Sequence, residues 1–199
     1  MIAIVVFTRY YIGMKNKQTN RVLTLLERLA RVINNDASMS ELKPAQWEAL
    51  RFFDQANRFS SNPSALTAYM DITKGTVSQT IIALERKGLV KKNKVKEDKR
   101  AVNIEVTPSG LEVLNEDPLQ ELASCLQQIT SKKLETLSST LEELLLKTIE
   151  RRGSAPFGVC KTCQYFKRNS NKGSPHLCSL LDAPLSEKDS GLICREHSN

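Results

Sequence analysis

The chain has 199 residues, 40% of them hydrophobic, which is enough for one domain with a buried core plus a small appendage. Lys and Arg number 29 against 22 Asp and Glu, a formal net charge of +7; this balance favours a polyanionic partner and says nothing about fold. No apolar run reaches the length of a membrane-spanning helix, which excludes a membrane partner of that kind. The run Ile2–Phe7 has no basic residue before it and no small-residue cleavage site after it, so it does not read as a signal peptide and the expected location is cytoplasmic. Residues 1–13 read as an over-extended start, with Met14 as the natural first residue.

The segment 14–41 carries a first helix from about Thr19 to Asn34, with Val22, Leu25, Leu26, Leu29, Val32 and Ile33 on one face. A second helix is expected from Pro44 to Arg58, burying Trp47, Leu50, Phe53 and Ala56. A short helix follows from a Ser64 cap to Met70. Another starts after the Thr73 cap and stops at Gly88, which suits a left-handed helix end. Leu89–Val106 reads as a hairpin, because Val102, Ile104 and Val106 alternate and the intervening stretch is basic. Thr107-Pro108 starts a further helix, Pro118 breaks it, and a long last helix runs from Ser131 to Arg151.

Helices followed by a two-stranded basic hairpin, over residues 42–110, define a winged helix-turn-helix that binds DNA. In Lys74–Lys87 the apolar Val77, Ile81 and Leu84 share one face, while Lys74, Thr76, Ser78 and Gln79 face outward. Small polar side chains in the first turns of such a helix can hydrogen-bond base edges in the major groove. The hairpin tip KKNKVKEDKR holds six basic and two acidic residues, Lys94, Lys96, Asp98 and Arg100 among them. A cationic loop beside a recognition helix can follow phosphates or enter the minor groove. The fold class is therefore mainly α with a small β wing, a winged helix-turn-helix flanked by long dimerisation helices.

The strings LKPAQWEAL, PSALTAYMDITKGTVSQTIIALERKGLV and EDKRAVNIEVTPSG resemble the successive signatures of MarR-type regulators, over roughly Thr19 to Arg152. The resemblance implies a transcription regulator, usually a repressor, that is not an enzyme and binds double-stranded DNA as a homodimer. It implies that Arg100 reads the minor groove with Asp98 as its support, and that Thr76, Ser78 and Gln79 are recognition-helix contacts. Gln79 stands where a basic residue is frequent, and Lys43 where a capping hydroxyl is frequent. The helix in 14–41 and those in 111–152 carry apolar faces that a second copy would cover, which sets two recognition helices roughly 34–36 Å apart on an inverted repeat. Small aromatic effectors of the family bind between such helices and the winged domain. Cys125 lies in this region and reads as a buried small hydrophobe rather than a redox sensor.

Residues 153–158 (GSAPFG) form a linker by composition, and 159–199 a cysteine-bearing tail without a clear period. Cys160, Cys163, Cys178 and Cys194 are separated by 2, 14 and 15 residues. In a reducing compartment, four clustered cysteines read as a metal site before disulfides. The spacing and the CQYF string resemble high-potential iron–sulfur proteins, which implies an iron–sulfur cluster; the alternative is tetrahedral zinc, although zinc ribbons present two close cysteine pairs and this tail only one. His176 and His197 are spare ligand candidates. Because the tail follows the last dimerisation helix, loss or oxidation of the centre is expected to act on dimer geometry. With zinc the tail would be a purely structural clip and the signal a small-molecule ligand. A third reading, an electron-transfer or enzymatic module tethered to DNA, has little behind it: no Gly-rich phosphate loop, carboxylate pair or Cys/His catalytic arrangement is present in the sequence.

Overall fold

The computed structural model describes residues 16–38, 41–94, 102–170 and 174–198. The start at 1–13 and the hairpin residues Lys96, Asp98 and Arg100 lie outside the described residues. The chain divides after Pro44 into two compact units.

In the first unit, α1 (Lys17–Ser38) begins earlier than its apolar stripe suggests, because the Asn16 side chain accepts the Gln18 amide at 2.9 Å and caps the extra turn. Val22, Leu25, Leu29 and Val32 stay exposed along its length.

The boundary falls at the first residue of α2 (Pro44–Gln55), which buries Trp47, Ala49, Leu50, Phe52 and Phe53 in the second unit. It stops three residues short of Arg58, because Asn57 leaves the helical ladder. The Asn57 amide bonds the Ile193 carbonyl at 2.9 Å, and its side-chain oxygen accepts the Phe59 and Ser60 amides at 3.1 and 2.9 Å. Such local side-chain bonds compete with helix continuation. The cap of α3 (Pro63–Met70) is Asn62, whose side chain accepts the Ala65 amide at 2.9 Å, and not Ser64. Pro63 is suited to the first helical position, and that moves the cap one residue before it. Helix α4 (Lys74–Arg86) is capped by Thr73, as expected, and Gly88 just past its end has a φ of +72°.

Strands β1 (Val90–Lys94) and β2 (Val102–Val106) pair antiparallel in the register Val90 to Val106, forming the wing. Ile104 turns into the core with Val77, Ile81, Leu84 and Leu89, all almost fully buried. Then come α5 (Pro108–Leu114), α6 (Leu119–Gln127) and α7 (Ser131–Arg152), with the expected break at Pro118. Asp117 at that break receives two hydrogen bonds from the Arg51 guanidinium, at 2.5 and 2.9 Å, and ties the corner to α2. Along α7, Leu134, Leu137, Leu141, Leu144 and Leu145 are exposed. Cys125 on α6 is exposed too, correcting the expectation of a buried thiol: α6 buries none of its residues within a single chain.

The tail is more regular than its sequence suggests. Strands β3 (Gly158–Val159) and β7 (Ile193–Cys194) pair antiparallel, and β4 (Phe166–Arg168), β5 (His176–Cys178) and β6 (Ala183–Leu185) form a second antiparallel sheet. Between the sheets, a 3₁₀ turn at Cys160–Thr162 and the short α8 (Glu187–Ser190), with a Ser186–Asp189 capping box, complete the segment. Strands of two or three residues are too short for an alternating pattern to show. The molecule is thus mainly helical with small antiparallel sheets, and among the described residues no helix is long and apolar enough to cross a membrane.

Candidate nucleic-acid interface and cysteine centre

Helix α4 is sorted by its own period. Val77, Thr80, Ile81 and Leu84 are buried, and Lys74, Thr76, Ser78 and Gln79 are exposed. The exposed set lies on the first two turns. There the positive end of the helix dipole favours an anionic ligand. The Thr76 hydroxyl is engaged locally, 2.9 Å from the Thr73 hydroxyl, so it holds the start of the helix as well as facing outward. Lys74, Ser78 and Ile81 line a groove of about 310 Å³ with Pro63, Ser64 and Thr67 of α3 and Lys92 of the wing.

The described part of the wing is less cationic than its composition suggests. Lys91 pairs with Glu105 at 3.0 Å and Lys92 with Glu85 at 2.6 Å. The Lys91 and Asn93 side chains hold the Glu105 carboxyl below its ordinary pKa by hydrogen bonding. Lys94 is exposed at the far end of β1.

The four tail cysteines are brought together. Cys160, Cys163, Cys178 and Cys194 line one small cavity of about 20 Å³, with Tyr165, Phe166, Leu185 and Glu196 around them. All are free thiols, Cys160 and Cys194 buried and the other two partly so. The Cys194 thiol is held below its ordinary pKa, chiefly by hydrogen bonding from Cys160 and against the opposing effect of burial. The same bond, with burial, pushes Cys160 up. Among the described residues, no three His, Cys, Asp or Glu side chains already stand close enough around one point to hold a metal ion. The two histidines do not join the cavity. His176 is buried and 2.8 Å from Glu187, and His197 lies 3.0 Å from the Thr162 hydroxyl.

Sequence reasoning missed what the tail rests on. Asn57 Nδ2 donates to Cys160 Sγ at 3.2 Å, and the parallel bridge between Ala56 and Ile193 runs beside it. The Arg195 amide donates to Ser60 Oγ at 2.9 Å, and its guanidinium to Ser64 Oγ at 3.0 Å. Neither Asn57 nor Arg195 belongs to a periodic face or a motif, so nothing local marked them.

A second cleft, of about 530 Å³, lies between α2, α3, the end of α7 and the linker. Tyr69 and Phe157 meet edge to face across it, their ring centres 5.3 Å apart.

Residues 40–101 match the model of the MarR family. A MarR transcriptional regulator from Methanosarcina mazei Go1 superposes with a TM-score of 0.55 at 17% identity, over 68% of this chain and 99% of that one. A MarR protein from Peptoclostridium difficile gives 0.54 at 22% identity, over 71% and 92%. The S. aureus MepR–DNA complex gives 0.51 at 18% identity, over 66% and 97%. At these identities the likeness is one of fold: the chain has the winged-helix architecture of MarR regulators. No curated protein matches the sequence.

Proposed function

We propose that the protein is a transcription regulator of the MarR type, which binds an inverted repeat in double-stranded DNA as a homodimer and acts by repression. The observation that carries this reading is the start of α4. Four polar or basic side chains, Lys74, Thr76, Ser78 and Gln79, stand exposed on a capped helix whose opposite face is locked into the core. Ser78 and Gln79 are suited to base edges, and Lys74 and Lys94 to phosphates. By resemblance to the family, Arg100 would read the minor groove with Asp98 as its support, and Lys96 is a further cation of the hairpin tip suited to phosphates. The fold it shares with MepR, which has been solved bound to DNA, supports the assignment.

Dimerisation is supported by the apolar faces that α1 and α7 each leave exposed, Val22, Leu25 and Leu29 on one and Leu134, Leu137 and Leu141 on the other. Monomers rarely leave long apolar stripes in water, and a second copy of the chain would cover both. The cleft beside Tyr69 and Phe157 is of a size and lining that suit a small aromatic effector.

The test is enrichment of bound duplexes from a random pool by the full-length protein. The expected result is an inverted repeat with half-sites about one helical turn apart, bound less tightly by Arg100→Ala. An enriched pool without sequence preference, or preference unchanged in Arg100→Ala and in Gln79→Ala alike, overturns the reading.

A further inference from the structure

We propose that Cys160, Cys163, Cys178 and Cys194 bind a thiophilic metal centre as four thiolates, and that this centre fixes the loop 56–62 on which the DNA-reading surface is built. The regulatory half of this inference rests on the DNA-binding reading; the metal half does not.

The ligand set comes from convergence. Cysteines spread over 35 positions of a tail with little apolar core all line one cavity, and none is consumed in a disulfide. The cavity wall is otherwise Tyr165, Phe166 and Leu185, which would shield a centre from water. Asn57, fully buried, aims its Nδ2 at Cys160 Sγ from outside the tail. An N–H donor to a ligand sulfur is the usual outer partner of a thiolate site. Zinc and an iron–sulfur cluster share this chemistry.

The coupling comes from where the centre sits. The loop 56–62 is held from two sides. On the tail side, the Asn57 amide bonds the Ile193 carbonyl and Ser60 Oγ accepts the amide of Arg195, the residue after Cys194. On the wing side, the Ile104 amide bonds the Ser61 carbonyl at 2.8 Å, and Ser61 Oγ donates to the Ile104 carbonyl at 2.5 Å. Asn62 then caps α3. Arg195 continues past the loop to Ser64, a residue of the groove that Lys74 and Ser78 also line. Metal loss would therefore loosen the mounting of α3 and the wing directly. This route differs from the one the sequence suggested, through the dimer helices.

The experiment begins with full-length protein purified without oxygen, analysed for zinc, iron and acid-labile sulfide, with its visible spectrum. Stoichiometric zinc on a colourless protein, or iron with matching sulfide and broad visible absorbance, each supports the site and names the metal. Absence of both, together with no uptake of zinc or of ferrous iron with sulfide by the reduced protein, overturns it. Asn57→Asp keeps the oxygen that caps Phe59 and Ser60 but loses the donor to Cys160. It should lose metal to a chelator faster than wild type, and an unchanged rate overturns the role of Asn57. Chelating the wild-type protein should speed amide exchange at Asn57 and Ile104 while leaving Leu84 in α4 unchanged, and should weaken binding to the selected duplex about ten-fold, within the usual range of coupling between sites. Equal exchange and equal affinity in both states overturn the coupling. Failure to bind DNA in either state overturns the DNA-binding reading instead, and leaves the metal analysis standing.

Discussion

The winged segment and the tail are held together by different means. From Trp47 to Ile104 the buried residues are Leu50, Phe52, Leu66, Val77, Ile81, Leu84 and their neighbours, a continuous apolar core. Among its described residues the tail buries one aliphatic side chain almost completely, Leu185, along with Cys160, Cys194 and the polar His176, Asp189 and Ser190. Hydrophobic burial scales with apolar area, so the first region is stable through its core. The second is too small to be, and small domains of this kind commonly rely on metals or cross-links. In this protein, the region with the strong core carries the helix proposed to read DNA, and the region with the weak one carries the four clustered cysteines.

The largest effect should come from the strong core. Leu84 is fully buried, and Leu84→Ala should cost about 2–5 kcal/mol in urea unfolding of the whole protein. The matching truncation in the tail, Leu185→Ala, should leave that transition nearly in place and speed amide exchange only within the tail. Equal losses from the two would erase the contrast. Gly110 comes next. A methyl group there would press on the Leu89 carbonyl and the Val106 side chain where α5 meets the wing, so Gly110→Ala should cost about 1–3 kcal/mol by overpacking. Thr73→Ala removes the cap of α4 and should cost about 1 kcal/mol, with fraying at its first turn visible in amide exchange.

The smallest effect concerns pH. Glu105 is held below its ordinary pKa, first by the Lys91 hydrogen bond and then by Asn93. A carboxylate depressed in the folded state adds stability above its unfolded pKa and loses it as pH falls through the folded value. The pair is largely exposed, so the gain is well under about 1 kcal/mol. Glu105→Gln should flatten the acid limb of the stability profile slightly, and an unchanged acid limb would show that the pair contributes nothing.

The same contrast explains what could be read from the sequence. The order of helices and wing, the buried face of α4, its Thr73 cap and the turn at Gly88 follow from local rules: apolar spacing, capping hydroxyls, a glycine free to take positive φ. The cap of α3 falls at Asn62 and not at Ser64, because Pro63 is already inside the helix. In the tail only the cysteines stood out. Its strands are too short for a period, and what they pack on, Asn57 and Ser60, lies over 100 residues earlier in the chain. Contacts at that separation leave no local mark. Cys125 looked buried because the apolar spacing of α6 marks a face and does not say what covers it, and the pairs Lys91–Glu105 and Lys92–Glu85 need the strand register as well as the charges.

The central claim is that α4 reads base sequence while the lysines position the protein on phosphates. It is tested most directly by measuring affinity for the selected duplex and for a scrambled one across a range of salt, with wild type and with a Ser78→Ala, Gln79→Ala double variant. Phosphate contacts set the salt slope and base contacts set the gap between duplexes. The account predicts that the double variant keeps the slope and loses most of the gap. A gap that survives intact, or a slope that collapses with it, would contradict the claim.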